Sequence, residues 1–148
     1  MEMDIYFYID LIDIDSYKGV IKYLMGFFIE KMDSEIKYVP KRIDDDYYCR
    51  DVIWCDFFSM TILIEGISKD LHIGYLEEDE GIKVNVDLYC TFPSWLYQKG
   101  VDLVGKLTKY IEKKYGSVIV EDDGGIIVYK KSKDIYYIDK DFWEKDIL

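Results

Sequence analysis

Residues 82–92 read IKVNVDLYCTF. The even positions (Ile82, Val84, Val86, Leu88, Cys90, Phe92) are all apolar, and the odd ones (Lys83, Asn85, Asp87, Tyr89, Thr91) are polar or amphipathic. So long a strict alternation describes a strand with one buried and one wet face. Strands covered on both faces in a parallel sheet read instead as unbroken apolar runs, so this strand belongs to an antiparallel sheet. Whatever else the chain forms must then cover the even face.

The rest of the chain supplies the partners. Asp4–Ile12 alternates Ile5, Phe7, Ile9 and Leu11 against Asp4, Tyr6, Tyr8 and Asp10, which predicts a first strand. Asp15 or Ser16 can cap a helix running to about Met32, with Val20, Ile21, Leu24, Phe27 and Phe28 on one side. Gly19 and Gly26 weaken that helix but would allow close approach to a neighbour. An exposed loop is expected over Glu35–Asp51, with a short strand at Ile36–Val39 ended by Pro40. Val52–Glu65, Leu71–Leu76 and the 82–92 strand read as a meander, with turns at Gly66–Asp70 and Glu77–Gly81. Ser94 is the expected cap of a second helix, on which Leu96, Leu103, Val104, Leu107 and Ile111 keep helical spacing up to a stop at Gly116. Strands at Ser117–Glu121, Ile126–Lys130 and Ile135–Ile138 follow, joined by tight turns, and Phe142 and Trp143 should dock. The expected fold is a single α+β domain, a mostly antiparallel twisted sheet with two amphipathic helices packed on one face.

Charge narrows the function. With 30 acidic and 19 basic residues the net charge is −11. That argues against direct binding of nucleic acid or of an anionic membrane, and it would steer a basic partner toward the protein. No stretch is long and apolar enough to span a bilayer. The N-terminus MEMDIYFYID lacks the basic and apolar regions of a secretion signal. Three cysteines, Cys49, Cys55 and Cys90, fit free thiols in a reducing cytoplasm.

No catalytic set emerges, and no cofactor is implied. His72 is the sole histidine, and Cys90 falls on the apolar face of its strand, where a thiol is usually a small buried hydrophobe. No cysteine or histidine pair has zinc-site spacing. Asp13 and Asp15 after one strand, with Asp122 and Asp123 after another, resemble the acidic motif order of haloacid-dehalogenase-like phosphatases, which implies a magnesium-dependent hydrolase. Ser16-Tyr17 departs from that pattern, and the chain lacks the β/α alternation a parallel sheet requires. Three acidic runs fall in expected loops: Asp44, Asp45 and Asp46; Glu77, Glu78, Asp79 and Glu80; Glu121, Asp122 and Asp123. Taken singly each reads as a solvated turn; together they describe an anionic surface. Asp87 and Tyr89 lie on the odd face of the long strand. Interleaved tyrosines (Tyr47, Tyr48, Tyr75, Tyr89, Tyr97, Tyr129, Tyr136, Tyr137) either anchor a partner or pack across strands.

The C-terminal half carries a resemblance. A meander leads into TFPSWLYQKGVDLVGKLTKYIEKKYG and then VIVEDDGGIIVYKKSKDIYYIDKD. This order, over about residues 57–139, resembles immunity proteins of bacterial polymorphic toxin systems, although Ser117 follows Gly116 where an acid is more usual. The resemblance implies a small, non-enzymatic, cytoplasmic binder that neutralises a basic toxin domain. A structural adaptor is the other non-catalytic reading.

Overall fold

The computed structural model describes residues 2–11, 17–40, 51–64 and 75–144. Its elements are β1 (Glu2–Ile9), α1 (Tyr17–Lys31), β2 (Ile36–Val39), β3 (Asp51–Cys55), β4 (Phe58–Ile64), α2 (Tyr75–Glu80), β5 (Val86–Pro93), α3 (Tyr97–Tyr115), β6 (Val118–Glu121), β7 (Ile127–Lys131), β8 (Tyr136–Ile138) and α4 (Lys140–Glu144). The eight strands form one antiparallel sheet in the order β2-β3-β4-β5-β1-β6-β7-β8. The α+β fold with an antiparallel sheet is as the alternation predicts. β5 and β6 both run antiparallel to β1, which lies between them, so α3 is a crossover that carries the chain over β1.

The main core lies between the sheet and the helices α1 and α3. Ile5, Phe7 and Ile9 of β1, Val86, Leu88, Cys90 and Phe92 of β5, and Phe58, Met60 and Ile62 of β4 face Val20, Leu24, Phe27 and Phe28 of α1 and Val104, Leu107 and Ile111 of α3. Burying each large side chain of this kind stabilises the fold by about 1.5–3 kcal/mol. One close approach requires glycine and a second is tight. A Cβ on Gly100 would lie 2.1 Å from the Phe92 ring, and one on Gly26 would lie 3.0 Å from the Tyr110 hydroxyl. α3 ends at Gly116 in a left-handed conformation, with its N–H donating to the Glu112 carbonyl. Phe142 of α4 joins the core, and the Trp143 indole N–H donates to the Val128 carbonyl at 3.0 Å.

Several expectations are corrected. Val52–Glu65 is not one strand but the hairpin β3–β4, turned at Asp56-Phe57 with Asp56 at φ 54°. The apolar phase slips there, from the odd positions Ile53 and Cys55 to the even positions Phe58 and Met60. Tyr75–Glu80 is helix α2 rather than strand end and turn; Glu77 and Glu78 in its first turn favour a helix N-terminus. Residues 71–74 lie outside the described residues, and β4 pairs directly with β5. Ser94 does not cap α3: it begins a single turn of 3-10 helix, Ser94–Leu96, and neither helix start has a side-chain cap.

The long strand is divided. β5 begins only at Val86, and Ile82 and Val84 are buried in a second cluster with Tyr8, Leu76 and Ile119. Tyr8 and Ile119 belong to the sheet face away from α1 and α3, so α2 and residues 82–85 cover part of the face expected to be wet. Asn85 pins this lead-in. Its backbone N–H donates to the Ile9 carbonyl, and its side-chain oxygen accepts from the Leu11 N–H, both at 2.9 Å.

Candidate functional site

The strand register assembles a polar and aromatic surface on that second face. One row runs Leu63, Asp87, Tyr8, Ile119, Lys130, Tyr137 across six strands; the next runs Thr61, Tyr89, Tyr6, Glu121, Ile127 across five. α2 lies over the end of these rows, held by Leu76. Between α2 and strands β6–β8 is an open cleft of about 420 Å³, lined by Tyr75, Leu76, Asp79, Glu80, Glu121, Gly125, Ile127, Lys130 and Tyr137.

Carboxylates dominate the cleft. Glu80 is paired with Lys130 at 2.8 Å, which leaves Asp79 and Glu121 facing one cation already engaged. Burial, with repulsion from Asp122 and Glu80, raises the pKa of Glu121 above the usual carboxylate value. Asp87, on β5 two strands away across β1, is pushed up to about 7, by burial first and by Glu121 second. Its Oδ1 is buried without a hydrogen-bond donor among the described residues. The tyrosines respond alike: burial and the neighbouring carboxylates raise Tyr6, Tyr8, Tyr75 and Tyr89. Tyr8 is hydrogen-bonded to Tyr75, and the Tyr89 hydroxyl donates to Asp4 at 2.8 Å. Tyr75 and Tyr137 stand 46% and 44% exposed at the cleft margin.

The structure brings some of the expected site residues together and separates others. Asp79, Glu80 and Glu121 share the cleft, with Asp87 and Tyr89 farther along the two rows that reach it. Glu77 and Glu78 are exposed on α2 outside the cleft lining. Asp122 is occupied by its own turn, where its Oδ1 accepts the N–H groups of Gly124 and Ile126, both at 2.9 Å; Asp123 is exposed at the tip. Asp87 and Tyr89 are half-buried rather than fully wet, and the Tyr89 ring lies 5.0 Å from that of Tyr6. Asp13, Asp15, Asp44, Asp45, Asp46, Cys49 and His72 lie outside the described residues. Tyr129 is a packing residue: it is 2% exposed and its hydroxyl donates to Glu112. Tyr6, Tyr8 and Lys130 were not expected here; only cross-strand pairing places them.

Cys55 and Cys90 are both buried, and burial raises both thiols above their ordinary value. Among the described residues no group of three His, Cys, Asp or Glu side chains is arranged to hold a metal ion. No described helix is long and apolar enough to cross a membrane. Comparison with known proteins returned no matching family model, no matching curated protein and no matching solved structure.

Proposed function

We propose that this protein is a non-enzymatic, cytoplasmic protein-binding inhibitor, an immunity protein that neutralises a basic toxin domain such as a nuclease. The observation that carries this reading is the cleft itself: Asp79, Glu80 and Glu121 gathered around an open hollow with Tyr75 and Tyr137 exposed at its margin. Glu121, whose carboxyl is raised by burial and by the charges of Asp122 and Glu80, is relieved by an incoming Lys or Arg. A cationic side chain entering between the two tyrosines would find carboxylates on one side and aromatic faces on the other, an arrangement that favours arginine. The tyrosines would provide the desolvated anchors and the surrounding acids the steering field. Occupying the basic groove of a nuclease in this way keeps its substrate out.

The test is capture from the native cells, followed by expression of the captured partner alone. The expected result is growth arrest by the partner and relief by co-expression of this protein. Glu80→Gln/Glu121→Gln should bind at least about tenfold more weakly and fail to relieve the arrest. A partner harmless when expressed alone, or full relief by the double variant, would overturn the proposal.

A further inference from the structure

On the helix-covered side of the sheet, α1 and α3 flank a second open groove, of about 590 Å³. Five of its lining residues are lysines (Lys31, Lys106, Lys109, Lys113, Lys114), and the one carboxylate among them is Glu30. In a chain of net charge −11 this is a local reversal of sign. Two ordinary causes account for only part of it. Lysines in the last turn offset the helix macrodipole, but that effect has faded at Lys106 and Lys109. Local ion pairing engages Lys31 with Glu30 at 3.6 Å and Lys109 with Glu112 at 3.8 Å, whereas Lys106 and Lys113 make no ion pair among the described residues.

The floor decides what kind of anion fits. Tyr23 and Tyr110 stack at 4.2 Å, and each donates its hydroxyl to the other's backbone carbonyl, at 2.5 and 2.7 Å. Lys114 lies 4.4 Å from the Tyr23 ring centre and Phe27 lies 5.3 Å from that of Tyr110. Both hydroxyl protons are therefore spent and the ring faces are taken. Single-stranded nucleic acid needs free aromatic faces for its bases. A compact phosphate needs converging backbone or side-chain donors. The groove offers no free ring face and no backbone donors; its donors are ammonium groups, most of them strung in a row along one helix, beside tyrosine edges and the carbon stems of lysines. Lys106, Lys109 and Lys113 follow at three- and four-residue spacing, roughly 5–6 Å apart along the helix. An acidic helix presents carboxylates at the same interval, with apolar side chains beside them to lie on the tyrosine edges.

We infer that the α1–α3 groove is a second docking site, for an acidic, apolar-interleaved peptide segment of a partner protein. Charge complementarity confined to one groove favours a short segment. A longer polyanion would run onto the surrounding acidic surface, and a second copy of this chain would bring another −11.

The experiment is fluorescence anisotropy at low ionic strength with a labelled peptide of about twelve residues, glutamates at every third or fourth position between leucines and tyrosines. An oligouridylate of similar length is the comparator, and sedimentation of the protein alone reports self-association. Lys106→Glu/Lys113→Glu should weaken peptide binding at least about tenfold, and the neutralising Lys106→Gln/Lys113→Gln by about threefold. Glu80→Gln/Glu121→Gln, on the other face, should not weaken it, so this result is independent of the toxin-inhibitor reading. Both lysines are exposed, and unchanged thermal unfolding of the variants shows that the fold is kept. Absence of peptide binding, equal binding by the lysine variants, tighter binding of the oligouridylate, or self-association abolished by the lysine variants would each overturn the inference.

Discussion

The Asp87 carboxyl sits in the row between Leu63 and Tyr8, with one oxygen that meets no donor among the described residues. Its pKa of about 7 stands against an ordinary value of 3.8. The folded protein therefore holds a proton that the unfolded chain releases between these two values. Stability contributed by this group is fully present below about pH 4, falls as the pH rises, and reaches its lowest level above about pH 7. At 1.36 kcal/mol per unit the difference is on the order of 4 kcal/mol. Asp87→Asn should thus leave stability near pH 4 almost unchanged and raise it near pH 8 by a few kcal/mol, as read from urea unfolding. Equal changes at both pH values would show that the burial of this group is not what matters. Glu112 is the opposite case. Burial disfavours its charge, but hydrogen bonds from Lys131 and Tyr129 and the charge of Lys109 outweigh burial and lower its pKa.

Among the elements, β5 and α3 form the scaffold on which both surfaces depend. Gly100 in the first turns of α3 lets the helix sit directly on Phe92 of β5, and Phe92 stacks on Phe58 of β4. The neighbour is a ring fixed in the core rather than the free end of a flexible chain, so it cannot yield cheaply. Gly100→Ala should destabilise the protein by about 2–3 kcal/mol, seen as a lower urea midpoint with an unchanged slope. α3 carries the lysine row on its outer side, and the crossover it makes brings β6 next to β1, so that Glu121 lies opposite Tyr6. The division of β5 has a comparable effect. Had the strand begun at Ile82, α2 would have no apolar bed, because Leu76 packs with Ile82 and Val84.

For the whole molecule, the sheet separates charge. Its second face carries the acidic cleft, and the layer of α1 and α3 carries the lysine groove. Net charge alone describes an acidic protein; the structure makes it two-sided. Association of the acidic cleft with a basic partner should be steered over long range, so its rate constant should fall steeply as salt rises. Stopped-flow association over a salt series should give a shallower slope for Glu80→Gln/Glu121→Gln, with the larger part of the affinity loss appearing in dissociation. A rate insensitive to salt would remove electrostatic steering from the mechanism.

Periodicity determined much of this protein. Alternation in β1, β4 and β5, helical spacing in α1 and α3, the stop at Gly116 and the turn at Asp122 are local patterns, and each is legible because its physical cause acts over a few neighbouring residues. The phase slip at Asp56-Phe57 was legible too, although a continuous apolar count over Val52–Glu65 conceals it. Pairing and layering lay beyond local pattern. That Asp87, Tyr8, Ile119 and Lys130 share a row, that Ile82 and Val84 leave the face of Val86 and Leu88, and that lysines from two helices line one groove all depend on register and crossover. Those arise from contacts between residues tens of positions apart. The sequence by itself therefore determined an antiparallel α+β domain with a strongly acidic charge; only the tertiary structure decided where the acids converge and where the sign of the surface reverses.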